Sequence, residues 1–575
     1  MRLTFIAIAL LAMIAGCGKG PTTKATNAAR IADDPWQKAL AALRRETDVE
    51  PCRRALLELN TDLSKVPTAE QPAEMPPADL AALTADLGLN DAEAKELKSS
   101  AYTALDGAYL AEVIYLCDVA LGLDVSTLPP AKRATIAFEW VTRQVVLNPW
   151  MSQGKNMQPL TPSFVLRRGS GSGLERAYVF IELCRQLNLN AYLIGPPEAK
   201  NRTWDYRSTA DAKTPPRGPF WVVGVRIEKQ IALFDPWSGE ALPFNLEQLR
   251  AQPAEFAPQF AALAKSNGIE AGEFRKAEPF LAVPLSGFAP RWKILEEKLA
   301  ADRGVALAAD AAFLKKHAGG GFWNPKNNFT LTRTLAYLLS ASEGGFAPNG
   351  QEGRSPLAWQ YTGSLVPGQR LIAVPNELDF KEPRERIVSE SVGRYLKSFL
   401  VPPTPRARFQ RGRYAEATKM LVKEWDAYNK MTERVRNEPE RTKTIAEWIK
   451  RANDLYGELN GAANPAVQDQ AQQEVNRFWK ADVRGLELLV EQSVGTPGTG
   501  EATYLLALCK NEQAERLVGR GTNDPNAIVE AWREASDWWQ RYRPFADAQE
   551  ASYPGRKAHA EKLAVRAQHM AGTAR

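Results

Sequence analysis

The chain is poor in the residue that most hydrolytic and group-transfer chemistry relies on. It carries three histidines, His317, His559 and His569, in 575 residues. Its five cysteines, at 17, 52, 117, 184 and 509, form no CxxC unit. With no paired cysteines and histidines this sparse, no metal-ligand spacing emerges, so neither a zinc site nor any other cofactor is expected. Charge of one sign is lacking too, since 73 basic residues stand against 67 acidic ones for a net +6. No Lys/Arg cluster interleaves with aromatics, which argues against a nucleic-acid partner. Beyond residue 14 no stretch is long and apolar enough to span a bilayer.

What is present is the composition of a globular protein, and a length that predicts about two to four domains. Arg2 followed by the apolar run Leu3 to Ile14 reads as an export signal. The run ends in Ile14-Ala15-Gly16-Cys17, which resembles a bacterial lipobox. That resemblance implies lipidation of Cys17 and an exported protein, held on the cell membrane or outer membrane and facing the periplasm or exterior. Several acyl chains on one cysteine give a lasting anchor, because each buried CH₂ supplies roughly 0.8 kcal/mol. Residues 18–34 then serve as a tether. Export also permits disulfides; Cys52 with Cys117 is one conceivable pair, and the sequence does not choose.

The pattern divides the rest into a helical N-terminal region (35–128), an α+β domain (129–245), a mixed, mainly helical region (246–405) and a helical C-terminal region (406–575). In the first, apolar residues recur at three- and four-residue steps, as in Leu105, Tyr109, Val113 and Leu116. Pro129-Pro130 marks the next boundary. Ala131 to Val146 has an amphipathic helical pattern, and Arg168 to Gly195 reads as a glycine-rich turn, a helix, then a strand. Ala191–Ile194, Phe220–Ile227 and Gln230–Phe234 read as strands, the last two an antiparallel hairpin about Glu228-Lys229. Leu246 to Lys316 is mainly helical, Gly319 to Pro325 a loop, and Leu371 to Val374 an isolated strand. From Tyr414 to Gln568 the chain is helical again, with apolar stripes such as Leu421, Trp425, Tyr428, Met431 and Val435. Gly495 to Gly500 reads as a loop splitting this region, and Glu501 to Val518 as something like one helix pair of a tetratricopeptide repeat.

Arg168-Gly-Ser-Gly-Ser-Gly173 leads into a helix that closes with Leu183-Cys184-Arg185-Gln186-Leu187-Asn188-Leu189-Asn190-Ala191. This segment resembles the active-site helix of the transglutaminase-like superfamily, in the papain-like group of thiol enzymes, and the match covers roughly 132–243. The resemblance implies a papain-like α+β core in which a cysteine opens the helix. A histidine and an aspartate, the latter in an Asp-Pro phrase, would follow on neighbouring strands. Counted back from Leu183, the nucleophile position falls on Gly173. Aligned on Trp221, the histidine position falls on Pro219, and the aspartate position on Asp235. The two members that make bonds and move protons are therefore replaced, and an enzyme is not the expected outcome.

Other residues can be weighed for the missing roles. Ser170 and Ser172 flank the vacant position, but the nearest bases in sequence, Glu175 and Asp235, are weak activators of a hydroxyl. The two serines more simply join three glycines in a turn, with one serine free to cap the helix. Cys184, eleven residues after Gly173, belongs to the buried end of the helix as a small hydrophobe with a raised pKa. Asp235 has a structural use in stopping its strand and accepting a hydrogen bond from the turn. Glycines 169, 171 and 173 leave backbone N–H groups open near a helix start, and Arg168, Ser170, Ser172 and Arg176 could line a groove for a peptide. Three readings follow. In the first, a membrane-anchored, non-catalytic domain binds or organises protein or cell-wall peptide. In the second, a hydrolase or acyltransferase acts on peptide or amide bonds through a relocated nucleophile. In the third, the helical half is an interaction scaffold. A binder should show an open groove lined by 200–218; a scaffold should show it filled by Trp221 or Trp237, with a concave helical face elsewhere.

Overall fold

A computed structural model of the chain describes residues 34–43, 49–147, 161–198, 220–300, 304–310, 321–323, 405–441 with 443 and 447, 483–520, 524–550 and 553–573. The export signal, Cys17 and the tether up to 33, the strand expected at 371–374, Pro219, the 200–218 loop and His317 lie outside these residues.

The N-terminal region is helical as the periodicity predicts: α1 (Pro35–Leu43), α2 (Val49–Asp62), α3 (Pro77–Leu87), α4 (Asp91–Lys98) and α5 (Ala104–Leu123). Every residue from Ala108 to Cys117 in α5 is buried, because α5 is covered on all sides. That burial takes Glu112 with it. Its carboxylate accepts the Ser163 backbone N–H at 2.6 Å and the Ser163 and Thr161 hydroxyls, capping a neighbouring helix from outside. Burial raises its pKa to about 7, the hydrogen bonds from Ser163 opposing the rise. The folded state therefore holds this proton more tightly than the unfolded chain. The associated stability is fully present below about pH 4.5 and is lost as pH rises through about 7. Glu112→Gln should remove about 3 kcal/mol of this pH dependence, seen as a flatter profile in urea unfolding between pH 4.5 and 8.

Then follow α6 (Pro130–Gln144), β1 (Val146–Leu147), α7 (Pro162–Arg168), β2 (Ser170–Gly171) and α8 (Gly173–Gln186). Next come β3 (Ala191–Gly195), β4 (Val222–Ile227), β5 (Gln230–Asp235), β6 (Glu240–Asn245), α9 (Leu246–Ala251), α10 (Ala257–Asn267), β7 (Glu278–Phe280) and α11 (Trp292–Ala300). Strands β3 to β7 form one antiparallel sheet in the order β6-β5-β4-β3-β7. The expected hairpin is present, with Ile227 paired to Gln230 and Glu228 at φ 55° in its turn. Helices α6 and α8 reach the sheet through three phenylalanines: Phe138, Phe180 and Phe234 meet pairwise at 5.0, 5.1 and 5.2 Å. Helices and an antiparallel sheet around one core make this part α+β. The sheet extends past residue 245, since β7 adds an edge against β3.

The C-terminal region comprises α12 (Pro405–Gln410), α13 (Tyr414–Asn437), α14 (Val483–Gly519), α15 (Pro525–Glu550) and α16 (Arg556–Thr573). The loop expected at Gly495–Gly500 is not there: α14 runs through it, with Pro497 inside the helix. The glycines are a packing seam. A Cβ on Gly498 would stand 2.7 Å from the Tyr428 ring, one on Gly495 3.0 Å from Thr432 Oγ1, and one on Gly500 3.1 Å from Phe545 Cβ. They let α13 and α15 approach α14 closely. The same continuity corrects the repeat-like helix pair at 501–518, which is one stretch of a single helix. No helix among the described residues is long and apolar enough to cross a membrane.

Candidate functional site

The glycine-rich turn is set by helix-end chemistry. Helix α7 ends on Gly169 at φ 74°, a left-handed C-terminal residue whose N–H returns to Val165 O at 2.8 Å. Ser170 and Gly171 pair in parallel with Val146 and Leu147. Ser172 then caps α8: its hydroxyl accepts the Glu175 N–H at 3.2 Å, and the Glu175 carboxylate accepts the Ser172 N–H at 2.8 Å. The two serines weighed as nucleophiles are thus a strand residue and a helix cap, the cap facing Glu175.

Gly173 is the first residue of α8, and it is buried. The indole of Trp237 lies over it. A Cβ added at Gly173 would stand 2.8 Å from Trp237 Cδ1 and closer still to Nε1 and Cε2. The place where a side chain would project from the helix start is filled by tryptophan. Trp237 stacks in turn on Phe220, with centroids 4.5 Å apart and planes inclined at 31°, and Phe220 meets Trp323 edge-on at 6.2 Å. Trp221 is turned away, against Phe274 at 5.1 Å.

Asp235 ends β5 and is buried. Its Oδ1 accepts the Trp237 N–H at 2.9 Å and its backbone carbonyl accepts the Gly239 N–H at 2.9 Å, so it fixes the turn that presents the indole. Arg176, one turn along α8 from Gly173, completes the arrangement. Its guanidinium donates to Pro236 O at 2.7 Å and to Val145 O at 2.6 and 3.1 Å. Burial lowers its pKa to about 10, partly offset by the field of Asp235. Asp235→Ala should cost about 1–2 kcal/mol in urea unfolding through the stranded Trp237 N–H. Asp235→Asn, which keeps an acceptor, should cost less.

The remaining groove candidates have internal roles. Arg168 is buried, with Nε on Ser170 O at 2.9 Å and Nη2 on Glu175 at 3.3 Å. Cys184 is fully buried, and burial pushes its thiol well above the ordinary range, as expected of core filler. Among the described residues no group of three or more His, Cys, Asp or Glu side chains could hold a metal ion.

Two residues near the site were not visible in the local sequence because they arrive from the C-terminal region. Arg406 of α12 packs its guanidinium directly on Gly169, where any Cβ would collide with it. His559 of α16 has Nδ1 3.2 Å from the Tyr504 hydroxyl. Burial and then the Arg176 charge lower its pKa to about 3, so it is neutral at physiological pH. Comparison with protein-family models, with curated proteins and with solved structures finds no match for this chain.

Proposed function

We propose that the chain is a non-catalytic scaffold of the bacterial envelope, anchored through a lipidated Cys17. In this reading its transglutaminase-like domain organises protein partners and does not process them. One observation carries the reading: the indole of Trp237 occupies the space a nucleophile would need at Gly173. The residue types support it. Gly173 cannot attack a carbonyl, and Asp235 and Arg176 are spent on holding the Trp237 turn. The indole over Gly173 supports organising protein over binding peptide at that place in the domain.

The test is to incubate the full chain with peptide amides and a primary amine, and follow hydrolysis and amine incorporation by mass spectrometry. No turnover above buffer is expected. Turnover that disappears in Ser170→Ala or Ser172→Ala would overturn the reading in favour of a relocated nucleophile. Saturable binding of cell-wall peptide that is lost in Trp237→Ala would instead favour a ligand groove with the indole as its floor.

A further inference from the structure

Most buried apolar side chains of the described residues fall into two clusters. One unites the N-terminal helices, the sheet, the segment that follows it and Ala407 of α12; the other, beginning at Phe409, lies within the C-terminal helices. The seam between them is keyed by polar groups. Arg406 Nε donates to Leu166 O at 2.8 Å and Nη2 to Gln144 O at 2.6 Å, so one guanidinium caps the ends of α6 and α7. Gln410 donates to Gln144 Oε1 and Leu166 O, both at 3.1 Å. Arg143 of α6 holds Glu512 of α14 through two bonds of 2.7 and 3.1 Å. Modules with separate cores and a polar joint move relative to one another more readily than a shared core allows.

Two contacts across the seam lead to the candidate site. Arg406 rests on Gly169, the first residue of the turn that delivers Gly173. Gly555, just before α16, packs on Val146 and Leu147, where an added Cβ would stand 2.9 Å from Leu147 O; the adjoining Val145 carbonyl accepts from Arg176, whose guanidinium also holds Pro236 in the Trp237 turn. We infer that the docked C-terminal helices act as a brace that keeps Trp237 seated on Gly173, so that undocking them loosens both the 169–173 turn and the 235–239 turn. This rests on the reading of Trp237 as the group that closes the cleft, and it gives the helical half a conformational control over that closure.

Hydrogen exchange resolved by peptide, on the full chain and on Arg406→Met and Glu512→Gln, tests the brace. These variants cut the seam at two separate points, so failure of one to fold leaves the other informative. Exchange at 169–176 and 235–239 should accelerate about tenfold or more in each, with β3 and β4 unchanged, because the site segments open as a unit smaller than the domain. Arg406→Lys, which has no planar fork to span two carbonyls, should fall between. Acceleration confined to 405–410 and α14 would overturn the inference. So would uniform acceleration that includes β3 and β4, which would mark the seam as supporting global stability alone. Neither result would disturb the reading of Trp237 itself, which is tested separately by the thiol chemistry of position 173.

Discussion

Gly173→Ala should destabilise the protein by about 1–3 kcal/mol, the usual cost of forcing a methyl group into a filled space. In isolation the substitution should help, since alanine loses less backbone entropy than glycine on entering a helix. The sign reverses here because the new Cβ meets the Trp237 indole. Phe220 is stacked on the ring, and the backbone of the Trp237 turn is held by Asp235 and Arg176. In a Trp237→Ala background the penalty should vanish and Gly173→Ala should become neutral or slightly stabilising. A double-mutant cycle on the unfolding transition reads the coupling directly. Equal costs in the two backgrounds would show that the indole does not limit the space at position 173.

Removing Arg291 should cost more, about 3–5 kcal/mol, because it strands a buried charge. Arg291 and Asp106 are both 0% exposed. The guanidinium makes two bonds to the carboxylate, at 2.9 and 2.8 Å, and two more to the Glu96 and Ser99 carbonyls at 2.8 and 3.0 Å. Asp106 also accepts the Thr103 N–H at 2.6 Å, so one carboxylate both caps α5 and ties the N-terminal helices to the segment before α11. Arg291→Met should therefore lower the urea midpoint strongly. Asp106→Leu added to it should recover part of the loss, since the lone buried charge is then gone while the cap is sacrificed.

How much of this was legible in the sequence depended on whether a signal was local. Helix α8 and strands β3 to β5 could be read because periodicity and β-branched runs report burial along one element. Strand β7 is three residues long and contains Pro279, and β6 contains Pro243, so neither shows an alternating run. The glycines at 495, 498 and 500 misled for a different reason: glycine marks both turns and close helix contacts, and only the neighbours Tyr428 and Gln549 show which applies. At the site, a serine cap on the helix and the structural use of Asp235 were readable. That Trp237 and not Trp221 covers the helix start depends on the turn that Asp235 and Arg176 hold, and Arg406 and His559 arrive from more than two hundred residues away.

The central claim is that Trp237 fills the space a side chain would need at the start of α8. The rate of alkylation of Gly173→Cys, measured against pH with Trp237 present and with Trp237→Ala, tests it most directly. With Trp237 present, the cysteine should label at least about a hundredfold more slowly than an exposed thiol. With Trp237→Ala it should label readily and ionise below about 8.5, as a thiol at a helix N-terminus does. Fast labelling in both backgrounds would contradict the account.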